Sequence, residues 1–428
     1  MTLARVCALA IATLMATSLA AAPEFRVNLN ADAKQREATV AYDRDGGCLM
    51  VWRNLRHGLS ARYFPADGAA SDEILLVGNR MLDSNPGEGY IFVRRDPAIA
   101  LHPSGDFYLF WTEERSYMRA AIFHEEITVL EQDVLGQRFH ADGTPAAARF
   151  RVHRERAGWQ SRPQVAMASD GAFLVAWQSY DPETSRETIE GRRFTARGAA
   201  AGGTIRIDDG QGGRARSPQI ARTDAGVHLI VWATRNDDDR NARGRLLNAR
   251  GQALGSSFEL HPESSDLQSS PAVATSGDRF LAVWHGAIDE PLHYRIFGQV
   301  IASDGAFRGP VLEISSGEHR AHAYPTVDAA ADGTFVAGWL AWMGDLQSSA
   351  NALRLNADGS PAGDPIRLNE HRLASQSLAL ATAPNGDFMA AWEGYTDDDF
   401  GISGRLVEGA ANARVKIPQG LVSPAVAP

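Results

Sequence analysis

The sequence predicts an all-β protein, a seven-bladed β-propeller of four-stranded antiparallel blades, on three observations. Seven tryptophans, Trp52, Trp111, Trp177, Trp232, Trp284, Trp339 and Trp392, recur at intervals of about 52 to 66 residues. Each ends the same local pattern, an apolar run, a tight turn and a second apolar run. Self-similarity at such a period marks a repeat architecture. Within each period four short strand signals fit, and four antiparallel strands per unit describe a propeller blade.

The third copy shows the reading element by element. Pro163-Gln164-Val165-Ala166-Met167-Ala168 is a short apolar strand, and Ser169-Asp170-Gly171 is its turn, because Asp-Gly supplies the positive φ a hairpin needs. Phe173 to Trp177 is the second strand, Gly191-Arg192-Arg193-Phe194-Thr195 the third, and Thr204-Ile205-Arg206-Ile207 the fourth. Pro97, Pro163, Pro218 and Pro325 each stand 14 residues before their tryptophan, and Pro271 stands 13 before Trp284. The blades then run about 36–79, 94–153, 162–208, 217–262, 270–315, 324–369 and 377–418, inside one domain spanning 21–428. Ring closure removes two exposed sheet edges, which invite aggregation. Phe25-Arg26-Val27-Asn28-Leu29, within a possible closing strand at 25–30, resembles the fourth strands, and so does Ala413-Arg414-Val415-Lys416-Ile417. The sequence leaves open which of the two is outermost.

Residues 1–20 read as a secretory signal. Arg5 precedes an apolar run from Val6 to Leu14, and Ser18 and Ala20 fit a small-x-small cleavage site. The expectation is an exported chain, periplasmic or secreted, with no spanning segment, since no run reaches the roughly 20 apolar residues required. Once the leader and Cys7 are removed, Cys48 is the one cysteine, in the apolar strand Cys48-Leu49-Met50-Val51-Trp52, where it reads as a buried hydrophobe. A formal charge of -10 argues against a nucleic-acid groove. A monomer is expected.

The repeats resemble the Asp-Gly-x-Phe-x-x-x-Trp and Gly-Gln-Arg-Phe-x-Ala-Asp-Gly repeats of large bacterial exported proteins, as in Gly136-Gln137-Arg138-Phe139 and Ala141-Asp142-Gly143. That resemblance implies a propeller or adhesin-like module in an exported protein, and no defined activity. The Ser-x-Asp-x-Gly-x-Thr-Trp box of sialidases is absent.

Two sets of loops differ in character. The first-to-second and third-to-fourth turns are minimal, such as Ala331-Asp332-Gly333 and Ala357-Asp358-Gly359. The second-to-third loops and the blade connections are long and aromatic, and they hold Trp159 and Trp342, the two tryptophans outside the repeat pattern. Loops on a rigid scaffold are where binding residues concentrate. Residues just before each first strand are expected to rim the central tunnel. Arg36, Arg95, Arg162, Arg216, His322 and Tyr324 are the candidates there, and with Trp159 and Trp342 they form the expected ligand-binding set. Converging arginines would focus positive potential on an anion, so the expected partner is an anionic glycan or a protein segment. An alternative is a carbohydrate-active enzyme such as a uronate polysaccharide lyase. Seven-bladed lyases are similar to this layout in using tyrosine, histidine and arginine at the central face, which implies His322 and Tyr324 as its catalytic pair. No metal is expected. The runs containing Asp237, Asp239, Asp397 and Asp399 are a weak calcium candidate, because they lack the spacing of known calcium loops.

Overall fold

Each repeat tryptophan lies on the second strand of its unit with the indole out of water; six are fully buried and Trp339 is 2% exposed. The computed structural model describes residues 23–409 apart from 68, 86–87, 121–124, 155–157, 237–239, 263–266, 290–292, 317–320, 345–346, 371–376 and 397–398. The expected leader, residues 1–20, and the fourth-strand candidate Ala413–Ile417 lie outside the described residues.

In chain order, β1 (Phe25–Arg26) precedes the first sheet of β2 (Gln35–Tyr42), β3 (Cys48–Asn54), β4 (Gly58–Phe64) and β5 (Ile74–Gly78). The second sheet holds β6 (Arg80–Asn85), β7 (Glu88–Leu101), β8 (Phe107–Ala120), β9 (Glu125–Phe139) and β10 (Phe150–Arg151). The third holds β11 (Trp159–Met167), β12 (Phe173–Asp181), β13 (Arg186–Phe194) and β14 (Ile205–Arg206). The fourth holds β15 (Arg214–Arg222), β16 (His228–Arg235), β17 (Arg240–Leu247) and β18 (Phe258–Glu259). The next sheet runs through β19 (Gln268–Ser276), β20 (Arg279–Asp289), β21 (His293–Ala302), β22 (Phe307–Glu313), β23 (Ala321–Ala329), β24 (Phe335–Gly344), β25 (Gln347–Leu355) and β26 (Ile366–Arg367). The last contains β27 (Leu378–Thr382), β28 (Phe388–Thr396) and β29 (Asp399–Val407), with β1 added outside β29.

Seven separate four-stranded blades, the expectation drawn from the tryptophans, do not form. Among the described residues five sheets stand as separate blades, four of four strands and one of five, beside one continuous eight-stranded sheet. The reason is a lateral backbone contact: β21 and β23 run parallel and bridge at Tyr294 and Ala321. The regions expected as 270–315 and 324–369 are thereby one hydrogen-bonded unit. A second departure is β6, which extends the second sheet by pairing with the start of β7. The long excursion from Thr112 to Leu135 continues the β8–β9 hairpin.

The core lies between neighbouring sheets. Cys48, Met50 and Trp52 of the first sheet pack on Met389, Ala391 and Ile402 of the last, so the ring closes on itself. Cys48 is a free buried thiol whose ionisation burial pushes well up. After the two-residue fourth strands a buried polar side chain repeatedly takes a backbone N–H from the third strand: Asn28 from Ile402, Asp208 from Ile189, and Asn369 from Ala350, each at 2.8 Å. Buried backbone donors need such partners.

Candidate functional site

The inner strands begin on the face that carries the long loops. Near that face six of them break register with the second strand at the same place, between Arg36 and Thr39, Arg95 and Ala98, Ser161 and Gln164, Arg216 and Gln219, Ser269 and Ala272, and Ala323 and Thr326. Each break is a bulge with one residue in the left-handed region: Glu37, Asp96, Arg162, Ser217, Ser270 and Tyr324, at φ between 49° and 55°. Five of these precede proline, whose ring steers the preceding residue toward extended backbone. Non-glycine residues held there cost about 1–3 kcal/mol each, and such strain collects at functional sites.

Half of this ring is wired by hydrogen bonds from blade to blade. Glu393 accepts from the Glu37 N–H at 2.8 Å and from Ser377 Oγ at 2.7 Å. Glu37 accepts from the Asp96 N–H at 2.8 Å and from Arg53 at 2.7 Å. Asp96 accepts from Thr112 Oγ1 at 2.8 Å, Thr112 accepts from the Arg162 N–H at 3.0 Å, and Arg162 donates to Ser217 Oγ. Ser217 N–H donates to Gln178 Oε1 at 3.2 Å. Burial raises the Glu393 carboxyl above its ordinary range.

The other half is aromatic and belongs to the eight-stranded sheet. Tyr324 is 42% exposed, its ring 5.7 Å from Trp342 and 6.5 Å from His285. His285 meets Tyr294 edge-on at 5.5 Å. Tyr294 is also the residue whose backbone bridges to Ala321, so the sheet fusion and the aromatic cluster share one position. Burial first, and then the charge of Arg240, push the His285 imidazole down to about 4, leaving it neutral near pH 7. Its Nδ1 is buried without a hydrogen-bond partner among the described residues.

The expected site residues separate into those that meet solvent at the mouth and those tied to protein. Arg162 and Tyr324 occupy left-handed rim positions and are exposed. Tyr324 and Trp342 touch. Arg162 has no carboxylate within ion-pair distance among the described residues. Arg36 lies over the Phe400 ring at 5.6 Å. Arg95 pairs with Glu114 at 3.3 Å, and Arg216 forms a two-pronged ion pair with Glu187, itself 7% exposed. Trp159 packs on Tyr180, its cross-strand partner, at 5.2 Å. His322 is 1% exposed and stacks on Trp339 at 6.3 Å, which withdraws it from the mouth. It occupies the place where Gln35 and Gln160 accept the indole N–H of Trp52 and Trp177, at 3.0 and 2.8 Å. Asp237, Asp239 and Asp397 lie outside the described residues, and nothing is described of the Asp399 side chain. Among the described residues no cluster of histidine, cysteine and carboxylate side chains is arranged to hold a metal.

Sequence reasoning missed His285, Tyr294 and Arg240. A signal for His285 existed. The residue after six of the seven repeat tryptophans faces the inner strand beside the bulge, as Arg53 faces Arg36, Thr112 faces Arg95, and His285 faces Ser269. Reading that column around the ring would have picked out the histidine.

No protein-family model and no curated protein matches the chain. Solved structures do. A protein of unknown function from Dyadobacter fermentans is 11% identical over 77% of this chain and 97% of its own, with a TM-score of 0.52. A polysaccharide lyase described as an ulvan lyase is 8% identical over 88% of this chain and 95% of its own, with a TM-score of 0.55. The chain has a β-propeller fold. At these identities the likeness is one of fold. No helix among the described residues is long and apolar enough to cross a membrane.

Proposed function

We propose that the chain is an exported carbohydrate-active enzyme that cleaves an acidic polysaccharide by β-elimination at the axial mouth. The observation that carries this is Tyr324, an exposed phenol on a left-handed backbone position, set between Trp342 and a neutral imidazole. Trp342 offers a face for a sugar ring to stack on. Tyr324, in its phenolate form, takes the proton from the carbon alpha to the uronate carboxylate and becomes the phenol that can hand it on. That electron pair forms the new C4–C5 double bond, the C4–O bond breaks, and the proton leaves on the departing oxygen. His285, neutral and half-buried behind Tyr324, positions its ring.

The carbanion-like transition state needs a cation at the carboxylate. Arg240 lies within electrostatic reach of His285, and Arg162 is the exposed guanidinium across the mouth. Arg95 and Arg216 are held by carboxylates of the protein and serve the scaffold. The polysaccharide lyase among the structural neighbours fits this reading at the level of fold.

The test incubates the mature protein with a panel of polyuronates and follows the ultraviolet absorbance of the new double bond. Turnover should appear with at least one uronate polymer and fall about 100-fold or more in Tyr324→Phe, the range a general acid–base group supplies. Binding without absorbance would leave a glycan-binding module. Failure to retain any acidic glycan would remove both.

A further inference from the structure

A second candidate site lies away from the axial mouth, between the third and fourth sheets on the long-loop face. It is a cleft of about 490 Å³ lined by Arg186, Arg206, Arg214 and Arg235, with Glu187, Asn236 and the glycines 210 and 213. That volume is within the range of small-molecule sites. Two of its charges are already neutralised inside the protein. Arg206 pairs at 2.7 Å with the buried Asp208, and Glu187 is taken by Arg216. Arg186, Arg214 and Arg235 are exposed and have no carboxylate within ion-pair distance among the described residues. The loop joining Arg235 to Arg240 carries Asp237, Asp238 and Asp239, which lie outside the described residues.

Strand register supplies an independent observation. Arg214 lies directly opposite Arg235, and Arg235 lies directly opposite Arg240. Like charges facing each other across a ladder destabilise a sheet. Three guanidinium groups in one cross-strand row cost the fold stability, which an anion seated among them would return. Asn236 and the Arg235 backbone pack closely against the cleft floor. Gly213 is at φ 88°, and a Cβ there would fall 1.6 Å from Asn236 Oδ1 and 2.8 Å from the Arg235 carbonyl oxygen, so the cleft floor tolerates no side chain.

We propose that this cleft is an oxyanion subsite that takes a sulfate or carboxylate group of a polyanionic glycan lying across the long-loop face. Guanidinium groups bind such groups through paired, charge-assisted hydrogen bonds. The proposal rests on the reading of the axial mouth as a glycan site, and the geometry connects the two. Arg216, which holds the cleft residue Glu187, immediately precedes the rim residue Ser217, and Arg240 carries the basic row toward His285. One glycan chain could therefore meet the mouth with one residue and the cleft with another.

The experiment measures affinity by titration calorimetry in a Tyr324→Phe background, so that the glycan stays intact. The probes are a sulfated polyuronate, an unsulfated polyuronate and a neutral glucan, compared with and without Arg214→Gln/Arg235→Gln. The double variant should bind the polyanions about tenfold more weakly or worse, the loss expected for hydrogen bonds to charged groups. It should leave the neutral glucan unaffected, with the melting temperature unchanged or raised because a like-charge pair is gone. A loss confined to the sulfated polymer assigns the cleft to a sulfate ester; a loss with both polymers assigns it to a carboxylate. Unchanged polyanion affinity in the double variant, or no polyanion binding by the parent, overturns the proposal. The two readings fail separately. Cleft-dependent binding without cleavage by the wild type would remove the lyase and keep the subsite. Cleavage with cleft-independent binding would do the reverse.

Discussion

Ser270 shows at residue scale what the rim costs. It is held at φ 49° directly before Pro271, where sterics favour extended backbone, and no side-chain hydrogen bond is described for it. Glycine removes the Cβ clash of the left-handed region, worth about 1–2 kcal/mol, although its greater freedom in the unfolded chain takes back part of that gain. Ser270→Gly should therefore raise stability by up to about 1 kcal/mol in urea unfolding, and Ser270→Val should lower it. A melting point that falls in both variants would show that the serine side chain, and not the backbone, holds the bulge. The same bulge explains what the sequence concealed. In a regular strand residues two apart share a face, which made His322 and Tyr324 look like a pair. The extra residue of a bulge resets that alternation, so Tyr324 opens to the mouth while His322 turns in onto Trp339. The tryptophans themselves were legible because their spacing survives any bulge. The parity of the residues around them was not.

Elements are tied to one another by single side chains, and one such tie titrates. Asp328 on β23 accepts the Thr382 N–H of β27 at 2.7 Å, linking the eight-stranded sheet to the last one. Burial pushes its carboxyl from 3.8 up to about 6, with the Thr382 bond opposing that rise. Between those two values the native protein binds the proton more tightly than the unfolded chain, so this group's contribution to stability falls as pH rises from about 4 to 6. His228 and His285 act in the opposite sense. Burial lowers each from 6.5 to about 4, so the unfolded chain holds more protons in that window and their contribution is lost as pH falls through it. Asp328→Asn can keep an acceptor oxygen for Thr382 and removes only the first slope. Urea midpoints from pH 4 to pH 7 should show the asparagine variant gaining on the wild type as pH rises. A constant difference across the range would mean that Asp328 does not titrate there. The fusion of β19–β26 that positions this tie could not be read from repeats. Tryptophan spacing counts units along the chain, whereas the bridge at Tyr294 and Ala321 is a lateral backbone contact with no side-chain signature.

At the scale of the whole molecule everything on the long-loop face depends on the ring staying shut, and eight residues near the N-terminus carry much of that burden. Phe25 and Arg26 pair with Gly404 and Ser403, putting β1 outside β29. The Val27 N–H donates to the Ile402 carbonyl at 2.8 Å, and the Ile402 N–H returns a bond of 2.8 Å to Asn28 Oδ1. Val27 and Asn28 are fully buried, and Glu73 of the first sheet accepts the Leu29 and Asn30 N–H groups at 2.7 and 2.9 Å. The segment thus touches the last sheet and the first one together, joining the two ends of the array. That a strand near 25–30 could close the ring was readable from its likeness to the fourth strands; that its side chains would also span to Glu73 was not. Closure of this kind brings together residues hundreds apart in sequence, and the chain entropy lost grows only slowly with loop length. Its removal should therefore act mainly through lost contacts and an exposed edge. Deleting residues 23–30 should lower the melting temperature and broaden unfolding. It should also promote concentration-dependent association, since β29 is left with unpaired backbone groups that template pairing with another chain. Val27→Ala keeps those backbone bonds and removes only the buried branch, so it should destabilise by about 1–3 kcal/mol without association. Light scattering beside thermal unfolding separates the two effects. A monomeric deletion variant with an unchanged melting point would mean that the packing of the last sheet on the first through Trp52, Met389 and Ile402 closes the ring without the strand.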